Sequence, residues 1–186
     1  MQAHEIVRLL SVDTPNWCDD VERIASEAAT AELAAASRCD LPAAAREILF
    51  DLLGNRYDPT ALPALIDGLN DVSPSVRSSA ADALAKIRDP AAGPFVERKF
   101  KAEEDDAVRQ MLAIALGAVD YQPSIPALIR ALGQSKGTLS GAIAWSLGAL
   151  KARGAEDALR LALSRETSSY ALTRIADALS IIQSDV

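Results

Sequence analysis

Residues 58–90 read DPTALPALIDGLNDVSPSVRSSAADALAKIRDP, and this stretch decides the fold. Pro59 and Pro63 mark the first turn of one short helix, Ser73-Pro74 opens a second, and Asp89-Pro90 closes it and begins the pattern again. Proline suits a first turn because its missing N–H would have no intrahelical partner there, and its fixed φ is already helical. The unit recurs every 31 or 32 residues. Lining up the second helices gives a column of Leu53, Leu84, Leu116, Leu147 and Leu179, with Gly54, Ala85, Gly117, Gly148 and Ser180 beside it. A third column is Phe50, Ala81, Ala113, Ala144 and Ala176. Small residues at fixed places let neighbouring helices approach closely, while the leucines fill the space between the two helices of a pair. Self-similarity at this period is the mark of a stack.

Upstream of Pro42 the pattern does not fit the repeat. Ala3 to Leu10 makes a short amphipathic helix, and Thr14-Pro15 supplies an N-cap and first-turn proline for another, on which Trp17, Val21, Ile24 and Ala28 recur at helical spacing. Residues 1–41 are therefore expected to form an N-terminal helical cap, with Trp17 buried in it, and residues 42–186 one continuous repeat array.

Composition narrows the function classes. Hydrophobic residues make up 49% of the chain but aromatic ones only 4%, so the core is built from Ala, Leu, Ile and Val, which suits closely packed helices. Lys plus Arg number 19 against 26 for Asp plus Glu; a net charge of −7 repels a phosphate backbone and favours a partner with a basic surface. Cys18 and Cys39 belong to no Cys-x-x-Cys or Cys/His cluster, so no metal site or disulfide framework is expected, and both read as small reduced core residues. His4, Glu5 and Arg8 stand where a signal peptide would carry its apolar run, and the uncharged stretch from Gly137 to Leu150 is too short to span a bilayer. A cytoplasmic protein with no membrane partner is expected.

Several copies in register carry a resemblance: Asp58-Pro-Thr-Ala-Leu-Pro-Ala-Leu-Ile, Val76-Arg77-Ser-Ser-Ala-Ala-Asp-Ala-Leu, Val108-Arg109 and Pro123-Ser-Ile-Pro-Ala-Leu-Ile resemble HEAT repeats of the short kind found in phycobilin lyase subunits and many bacterial proteins. The likeness covers Pro42 to Ile182. It implies an all-α, right-handed α-solenoid of stacked helix pairs whose second helices line a concave face. It also implies a role for Arg46, Arg77 and Arg109, which share one column, and for Asp71 and Asp105 before them: in HEAT proteins comparable Arg and Asp residues join neighbouring repeats in a ladder, for which a bidentate guanidinium is apt. The column is lost at Ser140 and Leu172, so the ladder should weaken toward the C-terminus.

Catalytic constellations are scarce. A Ser/His/Asp or Cys/His site would have to use His4, in a terminal helix. The carboxylates Glu103 to Asp106 lack the alternating ligands and central Gly of a calcium loop, and Gly133-Gln-Ser-Lys-Gly-Thr lacks Walker spacing. No catalytic residue, metal or cofactor is therefore assigned.

The outward face of the second helices says more. Ser75, Ser78, Ser79, Asp82 and Lys86 point away from the core; one unit on they become Ala107, Gln110, Met111, Ile114 and Ala118, and two units on Thr138, Gly141, Ala142, Trp145 and Ala149. A polar face turns apolar. Met111, Ile114 and Trp145, bordered by Asp51, Asp82, Arg174 and Asp177, form a candidate partner-binding patch, since an aromatic anchor rimmed by charge is the usual form of a binding hot spot. Two other readings stay open: the array curls until Trp145 fills its core, or the patch serves self-association rather than a monomer. The leading function is a non-enzymatic scaffold holding one protein partner, as adaptor, assembly factor or toxin-neutralising immunity protein. The alternative, implied by the repeat type, is a bilin lyase or chromophore-handling subunit, with Trp145, Tyr121 and Tyr170 flanking a linear tetrapyrrole. A HEAT-like DNA glycosylase would need a basic groove, which this face does not offer.

Overall fold

A computed structural model describes residues 1–11 and 17–184, and among these it contains twelve α-helices and no strand. The Thr14-Pro15 cap lies outside the described residues. No helix among those described is long and apolar enough to cross a membrane. The chain forms two compact units, Met1–Ile87 and Arg88–Val186.

The first unit holds α1 (Ala3–Leu10), α2 (Trp17–Glu27), α3 (Thr30–Ala36), α4 (Ala43–Gly54), α5 (Leu62–Gly68) and α6 (Pro74–Ile87). Asp58 accepts a hydrogen bond from the Thr60 N–H (2.9 Å) and so caps a 3-10 turn, Pro59–Ala61, that leads into α5. The first prolines open this turn rather than the helix itself. Helix α4 packs along α6, and α5 backs α6 on the other side. Leu49, Leu53, Leu65, Leu69, Val76 and Leu84 fill the space between them.

Two expectations fail here. Trp17 is 38% exposed rather than buried, because burial along α2 increases toward its C-terminal end: Val21 is half-buried, Ile24 and Ala28 fully so, and the tryptophan stands at the helix's first residue. Both cysteines are exposed. Helix α2 buries only Ile24 along its length, which leaves Cys18 on an uncovered flank, and Cys39 lies in the turn that ends α3.

The second unit repeats the motif three times: α7 (Gly93–Ala102) with α8 (Asp106–Ala118), α9 (Ile125–Leu132) with α10 (Gly137–Ala149), and α11 (Glu156–Arg165) with α12 (Ser169–Ser184). Helix α10 is the centre of a layer, packed between α8 and α12, and nine of its thirteen residues are buried. A helix apolar all round is what this position demands. Ser146, its one interior hydroxyl facing α8, donates to the Ala113 carbonyl (2.6 Å) and the Ala142 carbonyl (3.0 Å) and so leaves no polar group orphaned.

The small-residue column does what its spacing implies. A Cβ on Gly54 would lie 2.7 Å from the Ala83 Cα, one on Gly117 2.9 Å from the Ser146 Cα, and one on Gly148 3.0 Å from the Ala178 Cα. In each case the second helix of one repeat crosses the backbone of the next. Loops are equally regular: Tyr57, Arg88, Asp120 and Lys151 follow four successive second helices, and all have positive φ, between 50° and 60°. This is the left-handed position that ends many helices, filled here by side chains rather than by glycine.

Gly54→Ala should therefore destabilise the chain by about 1–3 kcal/mol, the usual cost of overpacking against atoms that cannot retreat. Gly154→Ala, where an added Cβ meets nothing within 4 Å, should be neutral or stabilise by about 0.4–1 kcal/mol. Urea unfolding of both variants checks the contrast, and equal effects would dismiss the crossing as the cause.

Candidate functional site

Three residues of α10 reach solvent: Thr138, Trp145 and Ala149, spaced so that they share one side of the helix. Trp145 is the only large one, and it is 37% exposed. Its position is set by what lies beneath it, since its Cζ3 sits 3.0 Å from where a Gly117 Cβ would be. Any side chain at 117 would push the indole outward.

On one side of Trp145 lies a hollow of about 170 Å³, lined by Ile114, Ala142, Trp145, Tyr170 and Arg174. Tyr170 reaches over Gly141, whose missing side chain makes room for the phenol ring at 2.7 Å. The Arg174 guanidinium stands 5.6 Å from the Tyr170 ring centroid and 3.7 Å from Asp177, so it is oriented from two directions. On the other side a larger hollow, about 380 Å³, is rimmed by Arg88, Asp120, Gln122 and Lys151. Gln122 donates to Asp120 (2.9 Å) and to the Leu150 carbonyl (3.2 Å), and Arg88 donates to the Ala118 carbonyl (3.4 Å). The indole thus forms a ridge between two hollows with charged edges.

The structure brings Ile114, Trp145, Arg174 and Asp177 together. Met111 is half-buried one turn before Ile114 and lines neither hollow. Asp51 and Asp82 belong to the first unit, where Asp82 pairs with Lys86 at 2.8 Å. Partial desolvation, helped by the carboxylates of Asp82 and Glu47 and opposed by Lys86, pushes the Asp51 carboxyl above its ordinary range. Tyr121 packs against Gly93 and lines neither hollow. Arg88 and Lys151, which no periodic signal in the sequence marks, complete the surroundings of Trp145 together with Tyr170, named above only beside a tetrapyrrole.

The ladder residues have separate fates. Arg46 holds Asp71 bidentately, Nε to Oδ2 at 2.7 Å and Nη2 to Oδ1 at 2.9 Å, and its third arm reaches the Leu41 carbonyl. Arg77 donates to the carbonyls of Asp71 (2.9 Å) and Val72 (3.2 Å). Arg109 pairs with Asp106 at 3.3 Å and lies 5.7 Å over the Phe100 ring, while Asp105 caps α8 by accepting from the N–H groups of Ala107 and Val108. Among the described residues no group of three or more His, Cys, Asp or Glu converges to hold a metal ion.

Paired helices stacked through small-residue crossings, with an Arg–Asp brace between loops, define an α-solenoid repeat protein. The family model described as HEAT repeats matches residues 29–109 and 98–180, and the chain belongs to that family. Among solved structures it is similar to the complex of CpcE and CpcF of phycocyanin lyase from Nostoc sp. (17% identity, 98% of this chain and 95% of that one, TM-score 0.54). It is also similar to YibA of Escherichia coli (17%, 100% and 74%, TM-score 0.69) and to a designed armadillo repeat protein in complex with the peptide (KR)4 (14%, 97% and 91%, TM-score 0.62). At such identities the likeness is one of fold. A search by sequence among curated proteins finds no match.

The Arg46–Asp71 brace generates a pH prediction. Burial alone would raise the Asp71 pKa, but the hydrogen bonds from Arg46 and the Ser73 N–H, with the charges of Arg46 and Arg77, outweigh it and hold the carboxyl below its ordinary value. A depressed acid stabilises the fold above its unfolded pKa of about 3.9, and the contribution fades as pH falls through the lower folded value. Asp71→Asn should cost about 1–3 kcal/mol at pH 7 and pH 5, with the gap to wild type closing below pH about 4. Denaturant titrations at pH 7, 5 and 3 check it; a gap as wide at pH 3 as at pH 7 would assign the loss to something other than charge.

Proposed function

We propose that the chain is a non-enzymatic scaffold that holds one protein partner against the second helices α8, α10 and α12, with Trp145 as the anchor. The observation that carries this reading is an exposed indole on the most buried helix of its layer, seated on a glycine and flanked by two hollows. Binding energy in protein interfaces concentrates in such aromatic residues, ringed by polar groups that exclude water. The hollow between Trp145 and Tyr170, at about 170 Å³, is the size of one partner side chain, and the larger one beyond the indole, about 380 Å³, has a charged and polar rim rather than the mostly apolar lining usual for a small-molecule site. Arg88, Lys151 and Arg174 stand with Asp120 and Asp177 around the indole, so the rim presents both signs, while the net charge of −7 draws a basic partner toward the chain. An adaptor, an assembly factor and an immunity protein all match this description.

One observation favours a second reading. The fold is shared with a phycocyanin lyase complex, and Arg174 beside two aromatic rings offers a counter-ion for a propionate. Addition of a linear tetrapyrrole should leave its absorption spectrum unchanged under the scaffold reading; a red shift lost in Arg174→Ala would reverse the order of the two.

Trp145→Ala should cost only about 1–2 kcal/mol, less than a core tryptophan, yet abolish partner capture. Affinity capture from native lysate with wild type, Trp145→Ala and Leu161→Ala checks this, Leu161 being exposed on α11 in the other layer. A protein captured by wild type and Leu161→Ala but lost with Trp145→Ala fits the proposal. Capture undiminished by Trp145→Ala, or loss of cooperative unfolding in that variant, overturns it.

A further inference from the structure

We infer a second, separate site, built for a carboxylate of an acidic peptide segment, where the loop ladder of the repeats lacks its own acid. The residue six positions before the ladder column is Asp71, Glu103, Gln134 and Glu166 in successive repeats. The three carboxylates serve alike: Asp71 accepts from the Ser73 N–H, Glu103 from the N–H groups of Glu104 and Asp105, and Glu166 from those of Thr167 and Ser168. Asp71 also joins one repeat to another through Arg46, and Glu166 does so through the Gly137 N–H (3.0 Å). Gln134 interrupts the series.

The consequence is visible in what surrounds it. Gln134 lines a hollow of about 260 Å³ with Phe100, Lys101, Arg109, Arg130 and the small residues Ala127 and Ala131. Among the described residues two buried side-chain atoms lack a hydrogen-bond partner, Arg109 Nε and Ser135 Oγ. One belongs to the arginine of the column and the other to the residue after Gln134. A buried donor left unsatisfied costs more than a bond made is worth, so a ligand that completes it is favoured.

The geometry also selects the ligand. Arg46 grips Asp71 with its Nε and Nη2 edge, and in Arg109 the corresponding Nε is the unpartnered atom, Nη1 being engaged by Asp106. A planar acid would meet that edge in two parallel bonds once the guanidinium, whose side chain is 26% exposed, turns it toward the hollow. Phe100 supports the guanidinium face. Lys101 is already paired with Glu97 at 2.7 Å, whereas Arg130 makes no ion pair among the described residues and leaves a net positive charge at the mouth. An incoming Asp or Glu would stand where the repeat elsewhere carries its own carboxylate.

Gln134→Glu restores the acid within the chain, and should raise Tm by about 2–4 °C. The probe is an acetylated, amidated peptide of alternating Asp and Glu, titrated while the Arg109 Nε–H resonance is followed by NMR. In the wild type the peptide should shift that resonance saturably; Gln134→Glu should weaken the effect roughly tenfold or more, and Arg130→Gln should weaken it with Tm unchanged. The inference fails if Gln134→Glu leaves Tm at or below wild type, or if the peptide shifts Arg109 equally in both proteins. Inorganic phosphate moving the resonance when the peptide does not would reject the carboxylate assignment.

Discussion

The closeness of successive second helices is the constraint on which the rest of the structure depends. Where Gly54 meets Ala83, Gly117 meets Ser146 and Gly148 meets Ala178, no β-carbon fits between one helix and the backbone of the next. The spacing leaves room for Ala and Gly at the crossings and for Leu between the layers, which accounts for a core with few aromatic rings. It also decides where a large residue in this layer can go. An indole on α10 cannot enter the crossing with α8, so it rises over Gly117 toward solvent. The exposure of Trp145 is thus a product of the packing that forms the layer.

Repetition makes departures from it informative. Every repeat needs a polar loop, and a carboxylate that accepts neighbouring N–H groups is an economical way to fold one. Once such a loop stands beside an arginine from the adjacent repeat, as Asp71 stands beside Arg46, the same acid ties the two together. The brace works because both groups are mostly withdrawn from water, with side chains 17% and 13% exposed, yet keep their full set of partners. Arg109 shows the other side of that bargain. Its neighbour loop carries an amide in place of an acid, and its Nε is left buried without an acceptor.

What could be read from the chain follows from which contacts are periodic. The Leu and Gly columns are fixed by 31- or 32-residue spacing and were legible. The outward side of α10 was legible only in part, since Thr138, Trp145 and Ala149 are exposed but Gly141 and Ala142, expected beside them, are buried, Gly141 under Tyr170 and the backbone of α12. Contacts that depend on how far a helix leans were not legible. Trp17 shares a stripe with Ile24 and Ala28, but only the C-terminal part of that stripe reaches the core. Cys18 and Cys39 depart from the usual burial of free cysteine, since one is on a lightly packed helix and the other in a turn. The partners of Arg77 and Arg109 were likewise out of reach: a side chain of that length chooses among carbonyls, carboxylates and rings a few ångströms apart. Tyr170 joins Trp145 only because Gly141 is bare, a relation between two helices that neither stretch of sequence states.

Charge has two scales in this molecule. Averaged over the chain it is acidic, and a field of that sign acts at distances of about 8–10 Å to hasten the approach of a basic surface. At contact range the second unit gathers cations instead, Arg88, Lys151 and Arg174 around the indole and Lys101, Arg109 and Arg130 around Phe100. Long-range attraction governs how often partners meet, and short-range fit governs how long they stay. A partner that is basic overall but offers an isolated acid and an apolar side chain at its contact surface would satisfy both scales at once. A uniformly basic peptide would satisfy only the first.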